Sequence, residues 1–414
     1  MRLAGPLLIV LLGAAGFFAM PARAGYVPGT IQPSHLSQAG LDAALNDFYA
    51  TWKSVYLIAG CGEGRYYVGM AADGNPTYGG SAERTITVSE AHGYGMLIAV
   101  MMARFDPEAQ TIFDGLVAYR RDHPAEADPA LLAWNQVEGC TDAIASNGVA
   151  TATDGDLDVA YALLLADSFW GSAGEIDYAA EARAMISAIL EVEVSPDGDF
   201  LLLGDWARES DQPAYRRTTR ASDFMVSHLK AFADATGEPR WLSVRDRTYA
   251  IMQAIGSEYA PETGLMPDFI IEAGTAPRPA PPGFMESPGD GWYSWNSCRY
   301  PWRIGLDYLL YGEPRALEAL AVLNRWAQKT TGGDPTRFNA VYQLDGSTTP
   351  ESYENALAYV APLGVAAMID ADNQDWLNAI WDAVVAKQVE DDDYYGNTIK
   401  LLSMIVMAGH WPAP

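Results

Sequence analysis

Two kinds of helix-forming stretch alternate along the chain. In the first, apolar residues recur every three to four positions. Leu41, Leu45, Phe48 and Trp52 do so, as do Ile112, Phe113, Leu116 and Val117, and Tyr178, Met185, Ile189 and Leu190. Similar runs lie near 240–255, 315–329 and 374–386. Asp, Glu, Arg and Gln fill the other positions, which predicts helices with one buried and one solvated face. The second kind is apolar nearly all round and rich in Gly, Ala and Ser. These runs begin near Ser89, Asp156, Ser222, Pro301, Tyr353 and Tyr394; DVAYALLLADSFW and TIKLLSMIVMAG are examples. A helix apolar on every side is buried on every side.

Six amphipathic and six buried helices in strict alternation predict an all-α fold. Successive hairpins whose second member is always buried can close into a ring, with six parallel inner helices inside six outer ones. An open solenoid is the alternative, but no short sequence repeat of the usual kind is present. Parallel inner helices bring their N-termini to one end, so residues just before them converge. The longest irregular stretch, 257–298, is long enough to predict a functional loop. The stretch 60–80 is expected to hold a small hairpin.

The first 24 residues fall outside this pattern. Arg2, an apolar run to Met20 and the Ala22-Arg23-Ala24 cleavage site read as a secretory signal peptide. Pro6 and Gly13 interrupt the run, which argues against a membrane anchor. Residues 25–414 then form one domain, expected as an exported or periplasmic monomer that no later segment ties to a membrane. The chain carries 53 acidic against 26 basic side chains, which argues against nucleic acid or an anionic membrane as partner. Cys61, Cys140 and Cys298 allow at most one disulfide, and no Cys/His cluster suggests a metal site. No cofactor is signalled.

Chemistry gathers before the buried helices. Glu90 opens the first, and between Ser89 and Val100 only His92 can also carry charge near neutral pH. Asp154, Asp156 and Asp158 open the second; Arg220 and Asp223 precede the third. Tyr293, Trp295, Asn296, Arg299 and Arg303 surround the start of the fourth, and Tyr394 and Tyr395 begin the last. Trp134, Trp206 and Trp292 lie in the loops between. Aromatic faces stack on sugar rings, Asp, Asn and Arg bind hydroxyls, and two carboxylates can cleave a glycosidic bond. Other readings stand beside this one. Thr87-Val-Ser-Glu90 also fits a capping box. Thr153 or Asp154 also fits a helix cap. The three aspartates resemble the start of a calcium loop, although Val159 and Leu165 stand where that loop needs Gly and Glu. An ion pair with Asp307 is the alternative for Arg299.

ATDGDLDVAYALLLADSFW, TVSEAHGYGM and NSCRYPWRIGLDY resemble, in order, the signature, the acid-bearing segment and the third shared segment of glycoside hydrolase family 8. The resemblance implies an (α/α)6 barrel and endo-acting, inverting hydrolysis of a β-linked polysaccharide. It assigns Glu90 as general acid and places Asp154 in the subsite of the distorted sugar. Trp134, Asp156, Trp206, Asp223, Trp295, Asn296 and Arg299 become candidate substrate-binding residues. One position departs from the cellulase-like branch, whose base is an aspartate where this chain has Asn296. An asparagine amide cannot take a proton from water. The chitosanase and lichenase-like branch carries its base on an inserted loop upstream, and GFMESPGDGWYSWNSCR offers Glu286, with Asp290 as second choice. That branch implies chitosan, mixed-linkage β-glucan or a cellulose-type glucan as substrate. The alternatives are a sugar-binding barrel that has lost its base and a glucanase accessory to cellulose export. An inverting pair would hold the carboxyl groups of Glu90 and Glu286 about 6.5–9.5 Å apart, leaving room for water.

Overall fold

The structure, a computed structural model, describes residues 25–77, 83–196, 198–389 and 393–414. The expected leader at 1–24 lies outside the described residues.

The helices in chain order are α1 (Gln38–Tyr56), α2 (Ser89–Met101), α3 (Ala109–Asp122), α4 (Thr153–Trp170), α5 (Tyr178–Val192), α6 (Asp205–Arg208), α7 (Val226–Thr236), α8 (Arg240–Tyr259), α9 (Tyr300–Tyr311), α10 (Pro314–Thr331), α11 (Leu357–Ala367), α12 (Gln374–Ala386) and α13 (Tyr394–Met407). The single turn α6 aside, they alternate as the sequence predicts. The outer layer is α1, α3, α5, α8, α10 and α12. The inner ring is α2, α4, α7, α9, α11 and α13. Each inner helix packs on the next, and α13 packs back on α2, so the ring closes into an (α/α)6 barrel.

Burial explains the two sequence patterns. Every residue of α2 is buried except Glu90, every residue of α13 except Tyr395, and all of α11. The outer α1 instead buries a stripe of Leu41, Leu45, Phe48, Tyr49, Trp52 and Tyr56. Small residues allow the inner helices to approach. A β-carbon on Gly93 of α2 would meet Asp158 Cβ at 2.8 Å, and one on Gly155 of α4 would meet Ser89 Cβ at 2.6 Å. Neither position can hold a side chain without parting α2 from α4.

Two inner helices start later than the pattern suggests. Ala221–Asp223 is a 3-10 turn, and the third inner helix begins at Val226. Tyr353 lies in a strand, and the fifth begins at Leu357. The loops feeding the inner helices carry short antiparallel ladders. β1 (Leu57–Ala59) pairs with β2 (Tyr66–Val68), which is the expected hairpin, starting slightly earlier. β3 (Thr85–Val88), β4 (Asn135–Val137) and β5 (Thr141–Asp142) form one sheet; β6 (Thr218–Arg220), β7 (Phe269–Ile271) and β8 (Arg278–Pro279) form another. β9 (Asn339–Tyr342) pairs with β10 (Thr348–Glu354). Cys61 and Cys140 form a disulfide joining the β1–β2 turn to the β4–β5 turn, while Cys298 is free and buried. Among the described residues no helix is long and apolar enough to cross a membrane.

Candidate active site

Glu90 stands where strand β3 turns into α2. The helix cap is Val88, whose side chain caps nothing, and the Thr87 hydroxyl has no hydrogen-bond partner. The carboxylate of Glu90 therefore does not serve a capping box. It accepts instead from Arg299 Nη1 at 2.6 Å and from the Tyr394 hydroxyl at 3.2 Å. Arg299 comes from the turn before α9, directly opposite α2 in the ring. Its guanidinium reaches across the mouth to Asp154 Oδ2 at 2.9 Å and to the Tyr94 hydroxyl at 3.0 Å. Asp307, the other partner considered for Arg299, pairs with Arg245. Burial pushes the Glu90 carboxyl above the usual carboxylate range; Arg299 opposes that push and the charge of Asp154 adds to it. A helix N-terminus alone favours the ionised form, so the raised value is a property of the packed mouth.

Asp154 titrates the other way. Burial opposes its charge, but Arg220 and Arg299 outweigh burial and hold it down at about 2. Arg220 Nη2 lies 3.0 Å from Asp154 Oδ1. Asp223 accepts from Arg220 Nε at 3.2 Å and from the Ser222 hydroxyl at 2.7 Å. It is fully buried and holds Arg220 beside Asp154. Burial lifts it to about 6 against the pull of Arg220.

Asp156 does not line the mouth, contrary to expectation. It is wholly buried, accepts from the Leu132 N–H at 3.1 Å, and lies beside the buried Glu193. Asp158 also points elsewhere, to Arg303 and to His228 Nε2 at 3.0 Å. Residues two apart on a helix are turned by about 200°, which hides Asp156, while Asp158 shares the face of Asp154 but lies one turn further along α4. The helix-cap reading of Thr153 falls away, since the cap is Ala152 and the Thr153 hydroxyl donates to Leu202 O, whereas Asp154 Oδ1 does accept from the first-turn Gly155 N–H at 3.0 Å. Among the described residues no His, Cys, Asp and Glu cluster has the arrangement to hold a metal ion.

The loop preceding α9 brings Glu286 to the same mouth. Asn296 is the link. Its Oδ1 accepts from Arg299 Nη2 at 3.0 Å and its Nδ2 donates to Glu286 Oε2 at 3.0 Å. Arg299 and Asn296 thus stand between the carboxylates of Glu90 and Glu286. Glu286 is exposed, whereas Asp290 is buried and accepts from the N–H groups of Met285, Glu286 and Ser287. Asp290 staples the loop that presents Glu286. Asp268, which the sequence did not single out, secures the next turn. It accepts from the N–H groups of Ser294, Asn296 and Ser297 and from the Ser297 hydroxyl, and burial lifts it to about 7. A lone acid ahead of the apolar Phe269-Ile-Ile reads as an ordinary loop residue, and only the fold reveals the turn beneath which it sits.

Aromatic side chains ring the site. Trp134 and Trp206 are half-buried, Trp134 donating its indole N–H to Asn147 O and Trp206 lying edge-on to Tyr215. Trp295 is 42 % exposed and rests edge-on against Tyr359 with centroids 5.1 Å apart. Tyr353, a second exposed aromatic beside it, was read from the sequence as the start of a helix.

A double ring of helices whose mouth holds acids, guanidinium groups and sugar-sized aromatic faces defines a glycoside hydrolase. The model of glycosyl hydrolases family 8 matches residues 44–409, and the chain belongs to that family. It is 42 % identical over 391 residues to a beta-glucanase of Niallia circulans, covering 94 % of this chain and 90 % of that one. An endoglucanase of Bacillus sp. strain KSM-330 is 37 % identical, with 95 % and 81 % covered. The solved apo structure of a beta-1,3-1,4-glucanase from Paenibacillus sp. X4 is 41 % identical and superposes with a TM-score of 0.87, over 94 % of this chain and 98 % of that one.

Proposed function

We propose that this protein is an exported, endo-acting, inverting β-glucanase that cuts mixed-linkage β-1,3-1,4-glucan. Glu90 is the general acid, Glu286 the general base, and Asp154 the charge facing the distorted sugar. The observation that carries the reading is the chain Glu90–Arg299–Asn296–Glu286, with one carboxyl raised by burial and the other exposed. Glu90, whose protonated form burial favours, gives its proton to the leaving oxygen. Arg299 and Tyr394 then stabilise the carboxylate left behind. Asp154 stays ionised and faces the positive charge that develops on the sugar. Glu286 removes a proton from the water that attacks the opposite face.

The relatives that support a glucan over chitosan are those named as glucanases at 41–42 % identity. The Cys61–Cys140 disulfide supports export to an oxidising compartment. Reducing ends released from mixed-linkage β-glucan, carboxymethylcellulose and chitosan test the reading, with anomer formation followed by NMR. Mixed-linkage glucan is the preferred polymer, and its fresh ends are α-anomers. Glu90→Gln and Glu286→Gln each lower kcat by about 10²–10⁴-fold. Full activity in Glu286→Gln would remove it as the base, and fresh β-anomers would exclude inversion.

A further inference from the structure

Five large apolar side chains are exposed among the described residues: Leu36, Ile144, Leu242, Trp295 and Tyr353. Trp295 and Tyr353 are neighbours, 42 % and 51 % exposed, with ring centroids 6.4 Å apart and planes tilted by 37°. Exposed aromatic faces are costly in water and specific in what they bind. Trp295 directly precedes Asn296, which donates to Glu286, so the pair borders the mouth that holds the carboxylates.

The hairpin that carries Tyr353 is built to hold it still. Tyr342 of β9 exchanges both backbone hydrogen bonds with Tyr293, two residues before Trp295. The Ser352 hydroxyl donates to Val341 O at 2.6 Å, and Lys387 Nζ closes the end of the hairpin on Asn355 O at 2.6 Å. Val341 and Asn355 take φ of 60° and 66°. A β-branched residue adopts that region only where its surroundings enforce it. Tyr353 and Trp295 thus keep a fixed spacing without a ligand. Trp134 and Trp206 precede α4 and α7, whereas Trp295 and Tyr353 precede α9 and α11, so aromatic groups flank the carboxylates on both halves of the ring.

We propose that Tyr353 completes, with Trp295, a two-ring platform that binds a glucan unit beyond those at the reacting carboxylates. It favours long chains over short ones. The proposal rests on the glucanase reading, and Glu90→Gln, which can bind but not cleave, separates the two. Calorimetry gives the affinity of folded Glu90→Gln for a hexasaccharide and a trisaccharide of mixed-linkage β-glucan, alone and combined with Tyr353→Ala or Tyr353→Phe. Tyr353→Ala weakens the hexasaccharide about three- to tenfold and the trisaccharide less than about twofold. Tyr353→Phe, which keeps the ring, restores hexasaccharide binding. Unchanged hexasaccharide affinity in Tyr353→Ala, or equal weakening of both sugars, overturns the platform and leaves the glucanase reading standing. A folded Glu90→Gln protein that binds neither sugar overturns the glucanase reading itself, and the platform with it.

Discussion

Asn296 occupies the position on which two readings of this chain divide. As a lost base it would be a defect. In the structure it is a two-sided connector, accepting from Arg299 and donating to Glu286. Substitution by Asp, equal in size, separates these views. A carboxylate there removes the amide donor and sets a second negative charge against Glu286, with Asp268 nearby. Losing a hydrogen bond to a charged group costs about 1.5–3 kcal/mol. Asn296→Asp is therefore expected to lower kcat on mixed-linkage glucan at neutral pH by about tenfold or more; a rise would show that the position still prefers a base. The residue types at the mouth were legible in the sequence because each precedes a buried helix. Their aims were not. Asp154 and Asp156 look alike on paper, yet a rotation of about 200° along α4 turns one to Arg299 and hides the other against Glu193.

At the scale of elements, the helices were readable and their connections were not. Inner helices announce themselves because they are apolar on every face, as α2, α11 and α13 are. Strand β10, TTPESYE, carries no apolar alternation because it is exposed on both faces, so Tyr353 drifted into the neighbouring helix. The short ladders matter to function. Strand β3 leads directly into Glu90, and it pairs with β4, whose turn to β5 bears Cys140. The disulfide to Cys61, 79 residues away, fixes that sheet against the β1–β2 hairpin. Disulfides typically contribute ~2–4 kcal/mol, in the chain-entropy view by restricting the unfolded chain. The Cys61→Ser, Cys140→Ser double variant is expected to unfold in guanidinium with that loss. Its kcat should fall less steeply than that of Glu90→Gln, since α2 remains clamped between α13 and α4. An unchanged unfolding midpoint would show that the bridge constrains little.

For the molecule as a whole, pH acts through its buried ionisable groups. Asp156 is lifted by burial to about 7 from 3.8, and burial also lifts Glu193 well above its ordinary value, with Asp156 adding to it. Between pH 4 and 7 the folded protein therefore holds more protons at this pair than the unfolded chain does. Stability from the pair is fully present below about pH 4 and is lost as pH rises through about 7. His228 works in the opposite sense: burial depresses it to about 4 from 6.5, so it adds stability as pH rises across that interval. The net charge of −27 adds repulsion at neutral pH. A single profile sums these effects, whereas the difference between two proteins isolates the pair. In Asp156→Asn the amide oxygen can keep the Leu132 N–H, and the amide N–H can donate to Glu193 in either protonation state. The variant is expected to match the parent or fall slightly below it near pH 4.5, and to exceed it by ~1–2 kcal/mol at pH 8. Thermal unfolding at pH 4.5, 6 and 8 reads this directly. A difference that stays flat across the three would mean that Asp156 is ionised throughout, balanced by Arg120, the cation its surroundings offer from α3.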